Sequence, residues 1–329
     1  MPIVLDAMGS DNRPDPEVKA AITASNALHE EIILIGDEPT LAAKLAAIPG
    51  DKSRVRIVHA PEALDMEDKI EDARRKKQNS MRVGMELVKA GEGDAFVTAG
   101  NTGMAMYYAI KSFGNIKGVI RPCLSAVVPV KTGHAVMLDI GANAECRPEF
   151  LLQFAFLGKV YAQSLLGLKD PKIGLLSNGE EEDKGNELIR AAYHLLKDAN
   201  LNFIGNVEGK ELFNGQVDVV VTDGFTGNIV LKSTEAVAKL IIDVLREELM
   251  GSFRTKIGAL LAKPAFQNIK SMLDPAEIGA APLMGIDALV FVGHGRSDSR
   301  ALANAIRSAK HAVDNQLLSH LRAEITNIL

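Results

Sequence analysis

The chain has 329 residues, enough for one large α/β unit or two modest ones with ample apolar material for a core. With 47% hydrophobic residues, 24% charged residues and a formal net charge of −5, it reads as a soluble globular protein and carries no basic field for nucleic acid. Two cysteines exclude a disulfide framework, the lack of tryptophan argues against base stacking, and no apolar run reaches the roughly 18 residues of a membrane span.

The opening MPIVLDAMGSD has no cationic region and meets an aspartate at position 6, so it reads as a first strand and a cytoplasmic setting is expected. PDPEVKAAITASNAL follows with helical periodicity, then EIILIGD as a strand and EPTLAAKLAAI as a helix. RVRIVHAPE leads into the polar EDKIEDARRKKQNSMRVGMELVKAG, and DAFVTAGNTG opens MAMYYAIKSFG. AVMLDIGAN precedes a helix from Pro148 through Leu165, and KIGLLSNG precedes NELIRAAYHLLKDA, where Leu188, Ala192, Leu195 and Ala199 form an apolar stripe. NFIGNVEG is a strand and loop, DVVVTDGFTGN opens a long helix, and ALVFVGHGRSD opens the last one. Nearly all-apolar strands alternating with amphipathic helices predict a mostly parallel sheet covered on both faces, a single three-layer α/β/α unit spanning 1–329.

In such folds ligands gather at the carboxyl ends of strands. The loops expected there are Asp6 to Asp11, Gly100 to Gly103, Gly141 to Asn143, Gly179 to Asn186, Asp223 to Asn228, and Gly293 to Asp298. Each is rich in Gly, Asn and Asp, which serves tight turns and equally presents backbone N–H groups to an anion.

GHGRSD stands one residue from a dinucleotide fingerprint, but Asp298 replaces the third glycine and no second strand follows. GEEEDKG has its lysine before the glycine and no hydroxyl after it, so it is not a P-loop. No G-x-S-x-G elbow exists, and Cys123 and Cys146 have no histidine close in sequence.

Lys184 closes the acidic run Glu180-Glu181-Glu182-Asp183 just before a helix. Either the acids simply complement the helix N-terminus, or Lys184, Gly185 and Asn186 hold a phosphate. His294 is either a hydrogen-bonded loop residue or a ligand and proton carrier. Arg74, Arg75, Lys76 and Lys77 form the densest basic run, either a solvated helix face or a docking patch. From about 229 to 275 the chain turns helical and amphipathic, with Phe253, Ile257, Leu260 and Leu261 among Arg254, Lys256 and Lys263, and Pro264 interrupting it. That segment is a dimer or core contact, or it dips apolar side chains into an anionic bilayer.

DAMGSD, ARRKKQNSM, TAGNTG, LDIGAN, GEEEDKGNE, FIGNVEG, VVTDGFTGN and GHGRSD, in this order from residue 6 to 298, resemble the bacterial phosphate acyltransferase family of phospholipid synthesis, the acyl carrier protein:phosphate transacylases. GHGRSD departs from that family's more usual GHGSSD at Arg296. The resemblance implies a fold akin to phosphotransacetylases and the isocitrate/isopropylmalate dehydrogenases, a protruding helical segment, a homodimer and no organic cofactor. It implies transfer of a long-chain acyl group from acyl carrier protein to inorganic phosphate, with peripheral contact at an anionic membrane. Lys184 is then the phosphate cation, Asn228 and the Gly227 amide are further donors, and Asn101 and Thr102 are partners beside Gly100 and Gly103. Asp6 and Asp223 position these donors, Asn143 lines the site, and His294 is a further catalytic candidate. Arg74 to Lys77 would meet the acidic carrier. The alternatives are a short-chain phosphotransacetylase using acetyl-CoA and a non-catalytic peripheral scaffold.

Overall fold

The computed structural model describes residues 2–327, apart from the side chains of Lys270 and Pro275. Its strands are β1 (Ile3–Asp6), β2 (Ile32–Gly36), β3 (Val55–His59), β4 (Ala95–Thr98), β5 (Cys123–Val130), β6 (Gly133–Leu138), β7 (Ile173–Leu176), β8 (Phe203–Val207), β9 (Val219–Val221), β10 (Ala281–Met284) and β11 (Leu289–Val292). The helices of the first half are α1 (Asp15–Leu28), α2 (Glu38–Ala47), α3 (Ile70–Arg75), α4 (Ser80–Lys89), α5 (Thr102–Phe113) and α6 (Pro148–Leu166). Those of the second are α7 (Glu187–Lys197), α8 (Gly209–Asn214), α9 (Gly224–Met250), α10 (Phe253–Leu261), α11 (Lys263–Leu273), α12 (Ser299–Asp314) and α13 (Leu317–Asn327).

One sheet runs through the molecule in the order β3-β2-β1-β4-β11-β10-β5-β6-β9-β7-β8. Alternate strand residues feed two cores, as the pleat requires. Ile3, Leu5, Ile32 and Val97 join α1, α6 and α12 on one face, and Val4, Ile33, Phe96 and Val220 join α4 and α5 on the other. The result is the expected three-layer sandwich.

Most pairings are parallel, but β10 is antiparallel to both β11 and β5, and β5 is antiparallel to β6. Three reversals in a row leave β6, β9, β7 and β8 running against β1, β2, β3, β4 and β11. The two groups are also offset. Val292, the last residue of β11, pairs with Ala281, the first of β10. Leu283 pairs with Leu124, and Ser125 with Leu138, the last residue of β6. The carboxyl ends of the opposed groups therefore meet at nearly one level across β10 and β5. The six loops do not share one edge, as a uniformly parallel sheet would have placed them. They come from two facing sets.

In α7 the buried stripe is Ile189, Ala192 and Leu196, one position away from Leu188 and Leu195, and Ala199 lies beyond the helix. Neighbouring aliphatic residues at 188/189 and 195/196 make both stripes compatible with the sequence. α9 buries only Gly224 and Gly227, at its start. α10 packs on α9, and Pro264 sits at the start of α11, where its missing N–H costs nothing.

Candidate active site

The loops after β1, β4 and β11 interlock. Asp6 is buried and accepts from the Thr98 hydroxyl at 2.8 Å and from the Met8 N–H at 3.0 Å. Burial raises its carboxyl pKa. Thr98 Oγ1 in turn accepts from the Gly100 N–H at 2.9 Å, and the Asp11 N–H donates to the Gly295 carbonyl at 2.8 Å. A Cβ on Gly9 would stand 2.8 Å from the Gly100 nitrogen, so the two loops touch through backbone. Asp6 and Gly100 thus brace the loops. Asn101 is spent as well: Oδ1 caps α5 by accepting from the Met104 N–H, and Nδ2 donates to the Met66 carbonyl at 2.7 Å. Thr102 and Gly103, in the first turn of α5, remain accessible.

The facing set is built on Asp139, which the sequence reading passed over. This buried carboxylate accepts the N–H groups of Leu124, Gly141, Ala142 and Asn143 at 2.7–3.2 Å, and Asn143 Nδ2 at 2.9 Å. Asn143 also donates to the Pro122 carbonyl, accepts from Arg121, and receives the Gly224 N–H on its own carbonyl. It fastens β6 to α9 and has no donor to spare. Gly227 gives its N–H to the Asp223 carbonyl at 2.9 Å, so its amide is not a free donor. It is glycine because a Cβ there would fall 1.9 Å from the Asp139 carbonyl oxygen. Asp223 caps α9, accepting the Thr226 N–H at 2.8 Å and hydroxyl at 2.7 Å. Asn228 is exposed and lies over Gly141, with no hydrogen bond to its side chain among the described residues.

The acidic run before α7 is anchored away from its lysine. Glu180 pairs with Lys210 at 2.8 Å and Glu182 with Lys197 at 2.9 Å. The stem of Lys184 lies against Gly179, and its amine makes no ion pair among the described residues. Gly185 (φ 91°) donates its N–H to Asn178, and Asn186 caps α7 through the Ile189 N–H. Asn178, Gly185, Asn186 and Ile189, but not the Lys184 side chain, line a cleft of about 620 Å³ together with Ser177, Thr222, Asp223, Thr226 and Val230. The hydroxyls of Ser177 and Thr222 are buried there without a partner.

His294 lies elsewhere. Its Nε2 is 3.6 Å from the carboxylate of Glu235 on α9, which Lys232 (3.3 Å) and Arg296 (3.6 Å) also approach. His294 foremost, and then Lys232, hold the Glu235 carboxyl down at about 2 against the opposing effect of burial. Arg296 is therefore an ion-pair partner of α9. Thr102, Glu235 and His294 border a second, apolar space that takes in Ile140, Leu231 and Val292. Thr226 and Val230 face the Lys184 cleft, and Leu231 and Glu235 face this one. With 3.6 residues per turn these are different sides of α9. The helix's first turns stand between Lys184 and His294, which the sequence had grouped together.

Of the basic run, Lys76 is tied to Asp68 and Asp65, while Arg74, Arg75 and Lys77 are exposed. Phe253, Leu260 and Leu261 are 78%, 70% and 79% exposed and Ile257 46%. Burial raises both thiols, Cys146 to about 11, so neither is an activated nucleophile. Among the described residues no group of three His, Cys, Asp or Glu is placed to hold a metal, and no helix is long and apolar enough to cross a membrane.

Residues 1–320 match the family model described as fatty acid synthesis protein. The chain is 47% identical over 329 residues to the phosphate acyltransferase of Pelotomaculum thermopropionicum, covering 100% of this chain and 96% of that one. It is 44% identical over 327 residues to that of Elusimicrobium minutum, covering 99% and 96%. A phosphotransacetylase from Streptococcus pyogenes shares the fold at a TM-score of 0.62 and 17% identity, covering 95% and 94%. A 4-hydroxythreonine-4-phosphate dehydrogenase from Salmonella typhimurium, described as putative in its own structure, shares it at 0.55 and 14%, covering 94% and 99%. At those identities the likeness shows fold alone. The full-length match and the near-half identity make this chain a member of the fatty acid synthesis protein family, the acyltransferases that include the phosphate acyltransferases.

Proposed function

We propose that the protein transfers a long-chain fatty acyl group from acyl carrier protein to inorganic phosphate. A phosphate oxygen attacks the thioester carbonyl, a C–O bond forms, the C–S bond breaks, and the carrier thiolate leaves to take up a proton. The product is an acyl phosphate. The observation that carries this reading is a cleft lined by Thr226, by Asn186 and Gly185, and by two residues with buried, unpartnered hydroxyls, Ser177 and Thr222. Lys184 is next in the chain to Gly185, and its amine makes no ion pair among the described residues. The N-terminal ends of α7 and α9 border the same cleft and favour an anion. Lys184 draws the phosphate in. Asn228, with an unspent amide past the first turn of α9 and on its Glu235 side, donates to the developing oxyanion from across the helix end, a role worth roughly 3–4 kcal/mol where donors are fixed. Asp139, Asn143 and Asp6 hold the loops, while Asp223 caps α9 and lines the cleft.

Arg74, Arg75 and Lys77 are the surface offered to the acidic carrier. Val237, Leu240, Ile241 and Val244, exposed at helical spacing on α9, suit a second copy of the chain in a homodimer. Phe253, Ile257, Leu260 and Leu261, with Arg254 and Lys256 between them, form a peripheral contact with anionic lipid. Palmitoyl-carrier and phosphate with the purified protein should give acyl phosphate, trapped as the hydroxamate. No product from folded protein would refute the activity, and product from acetyl-CoA alone would make it a short-chain phosphotransacetylase.

A further inference from the structure

Glu17, on α1, is an acid that the chemistry above does not use. It is fully buried, and Ser10, in the loop after β1, is nearly so and gives its N–H to Glu17 Oε1 at 3.1 Å. The remaining polar atoms of the two side chains, Glu17 Oε2 and Ser10 Oγ, are buried without a partner. After burial itself, the Ser10 side chain is the largest influence on the Glu17 carboxyl, so the hydroxyl lies within reach of it. A neutral Glu17 can donate to that hydroxyl while still accepting the Ser10 N–H. An ionised one would be a buried charge whose only donors come from one small residue.

Nothing around Glu17 compensates a charge. Asp6 of β1, itself buried, pushes the carboxyl the same way as burial does. The cations of the neighbouring elements are engaged elsewhere: Arg13 with Asp65, Lys44 of α2 with Asp15, and Arg56 of β3 with Glu31. On α12, which packs extensively against α1, Arg300 pairs with Glu277 and Asp274, Arg307 donates to Asn304, and Lys310 pairs with Glu30 and Asp314. Asp298 caps that helix, His311 lies against Asn315, and His59 of β3 meets the Glu38 N–H. β2 carries no charged residue. Burial without a cation to offset it pushes the Glu17 carboxyl up to about 7.

The loop that Glu17 holds joins two others. Ser10 lies between Gly9, which abuts Gly100, and Asp11, whose N–H donates to the Gly295 carbonyl at 2.8 Å. A change at Glu17 therefore reaches the loops after β4 and β11.

We propose that Glu17 is a proton-operated latch on the loop after β1: neutral, it holds the loop against those after β4 and β11, and ionised beside Asp6, it releases the loop toward water. The folded value lies above the ordinary 4.5, so this stabilisation is complete below about pH 4.5, falls as pH rises through about 7 and is lost above it.

The test is amide hydrogen exchange of the whole chain at pH 5 and pH 8, corrected for the intrinsic rate, in wild type and Glu17→Gln. Glutamine stays neutral, keeps an oxygen for the Ser10 N–H and offers its amide to Ser10 Oγ. In wild type, protection of the Ser10 and Asp11 N–H groups should fall about tenfold or more from pH 5 to pH 8, and that of the loop after β11 should fall in step. In Glu17→Gln both should stay within about twofold. Wild-type protection that is the same at both pH values would overturn the latch, whether or not the variant folds. An equal fall in both proteins would assign the change to other groups, and a loop unprotected at pH 5 in Glu17→Gln would make Glu17 a purely structural residue; either also overturns it. The readout involves no turnover, so the outcome stands apart from the acyl-transfer reading.

Discussion

Gly227→Ala sets two effects against each other. In a helix interior, alanine is favoured over glycine by about 1 kcal/mol. At 227, however, the new Cβ would lie 1.9 Å from the Asp139 carbonyl oxygen and 2.9 Å from Thr222 Cγ2. Even weak C–H···O contacts keep carbon and oxygen about 3.3 Å apart, so α9 and the 139–143 loop must separate by roughly 1.4 Å. The obstacle is backbone, and the Asp139 carboxylate holds it with five hydrogen bonds. Overpacking of this kind costs about 1–3 kcal/mol, and more when the neighbour is fixed. The net loss should be about 2 kcal/mol, a fall in Tm of roughly 4–8 °C, with turnover reduced as Asn228 is displaced from Gly141. Gly258→Ala is the control, because a Cβ there meets nothing within 4 Å and should be neutral or stabilising. Differential scanning calorimetry of the two variants reads the difference. Gly227→Ala at or above the wild-type Tm would refute the close approach and return Gly227 to the role of an ordinary helix residue.

Lys184→Ala should remove most acyl-phosphate formation in the hydroxamate assay and leave Tm near wild type, since the amine supports no ion pair among the described residues; near-normal turnover would make it a surface residue. Glu235→Gln tests the contact between α9 and the loop after β11. The folded-state carboxyl pKa, about 2, lies below its ordinary value of 4.5, so its stabilisation is complete above about pH 4.5 and is lost as pH falls toward 2. The shift would be worth about 3 kcal/mol unscreened, and on the order of 1 kcal/mol with the solvent-accessible His294 and Lys232 as partners. Urea unfolding should separate Glu235→Gln from wild type at pH 7 and bring them together near pH 2.5. Leu260→Glu with Leu261→Glu should weaken co-sedimentation with anionic liposomes and leave turnover in solution unchanged; full retention on liposomes would assign those residues to packing.

The strands most legible in the sequence were those buried on both faces. IVLD, IILIG, AFVT, IGLL and LVFV are unbroken apolar runs, and all lie in the sheet with both faces covered. β5 and β10 were not read as strands. β10 is four residues long and contains Pro282, and β5 carries Pro129. Direction leaves no trace in composition, so the reversal they create, which divides the loops into two facing sets, could not be read. In the site, Asn101, Asn186 and Asp223 matched an anion-binding pattern because helix capping selects the same residues at the same place. Asp139 had a visible signal in LDIGAN, an acid at a strand end before a Gly-Ala-Asn turn. Glu235 had none, because its partner His294 is 59 residues away and only the fold brings them together.

The offset of the two strand groups explains why α9 is the hinge of every functional assignment. A uniformly parallel sheet would gather its loops on one edge, and a helix leaving that edge would run back across the sheet. Here the first turn of α9 enters between facing sets of loops, pinned by the Gly227–Asp139 contact and the Asn143–Gly224 hydrogen bond. With only that turn buried, the rest of the 27-residue helix must project outward. At 1.5 Å per residue it is about 40 Å long. An unbroken helix transmits position over such a length better than a loop would. On the reading proposed for α10, the apolar tip that meets lipid and the turn that meets phosphate are then opposite ends of one rod. Lipid contact fixes where the acyl phosphate is released without taking part in its formation, which is why the tip and the site should be separable by mutation.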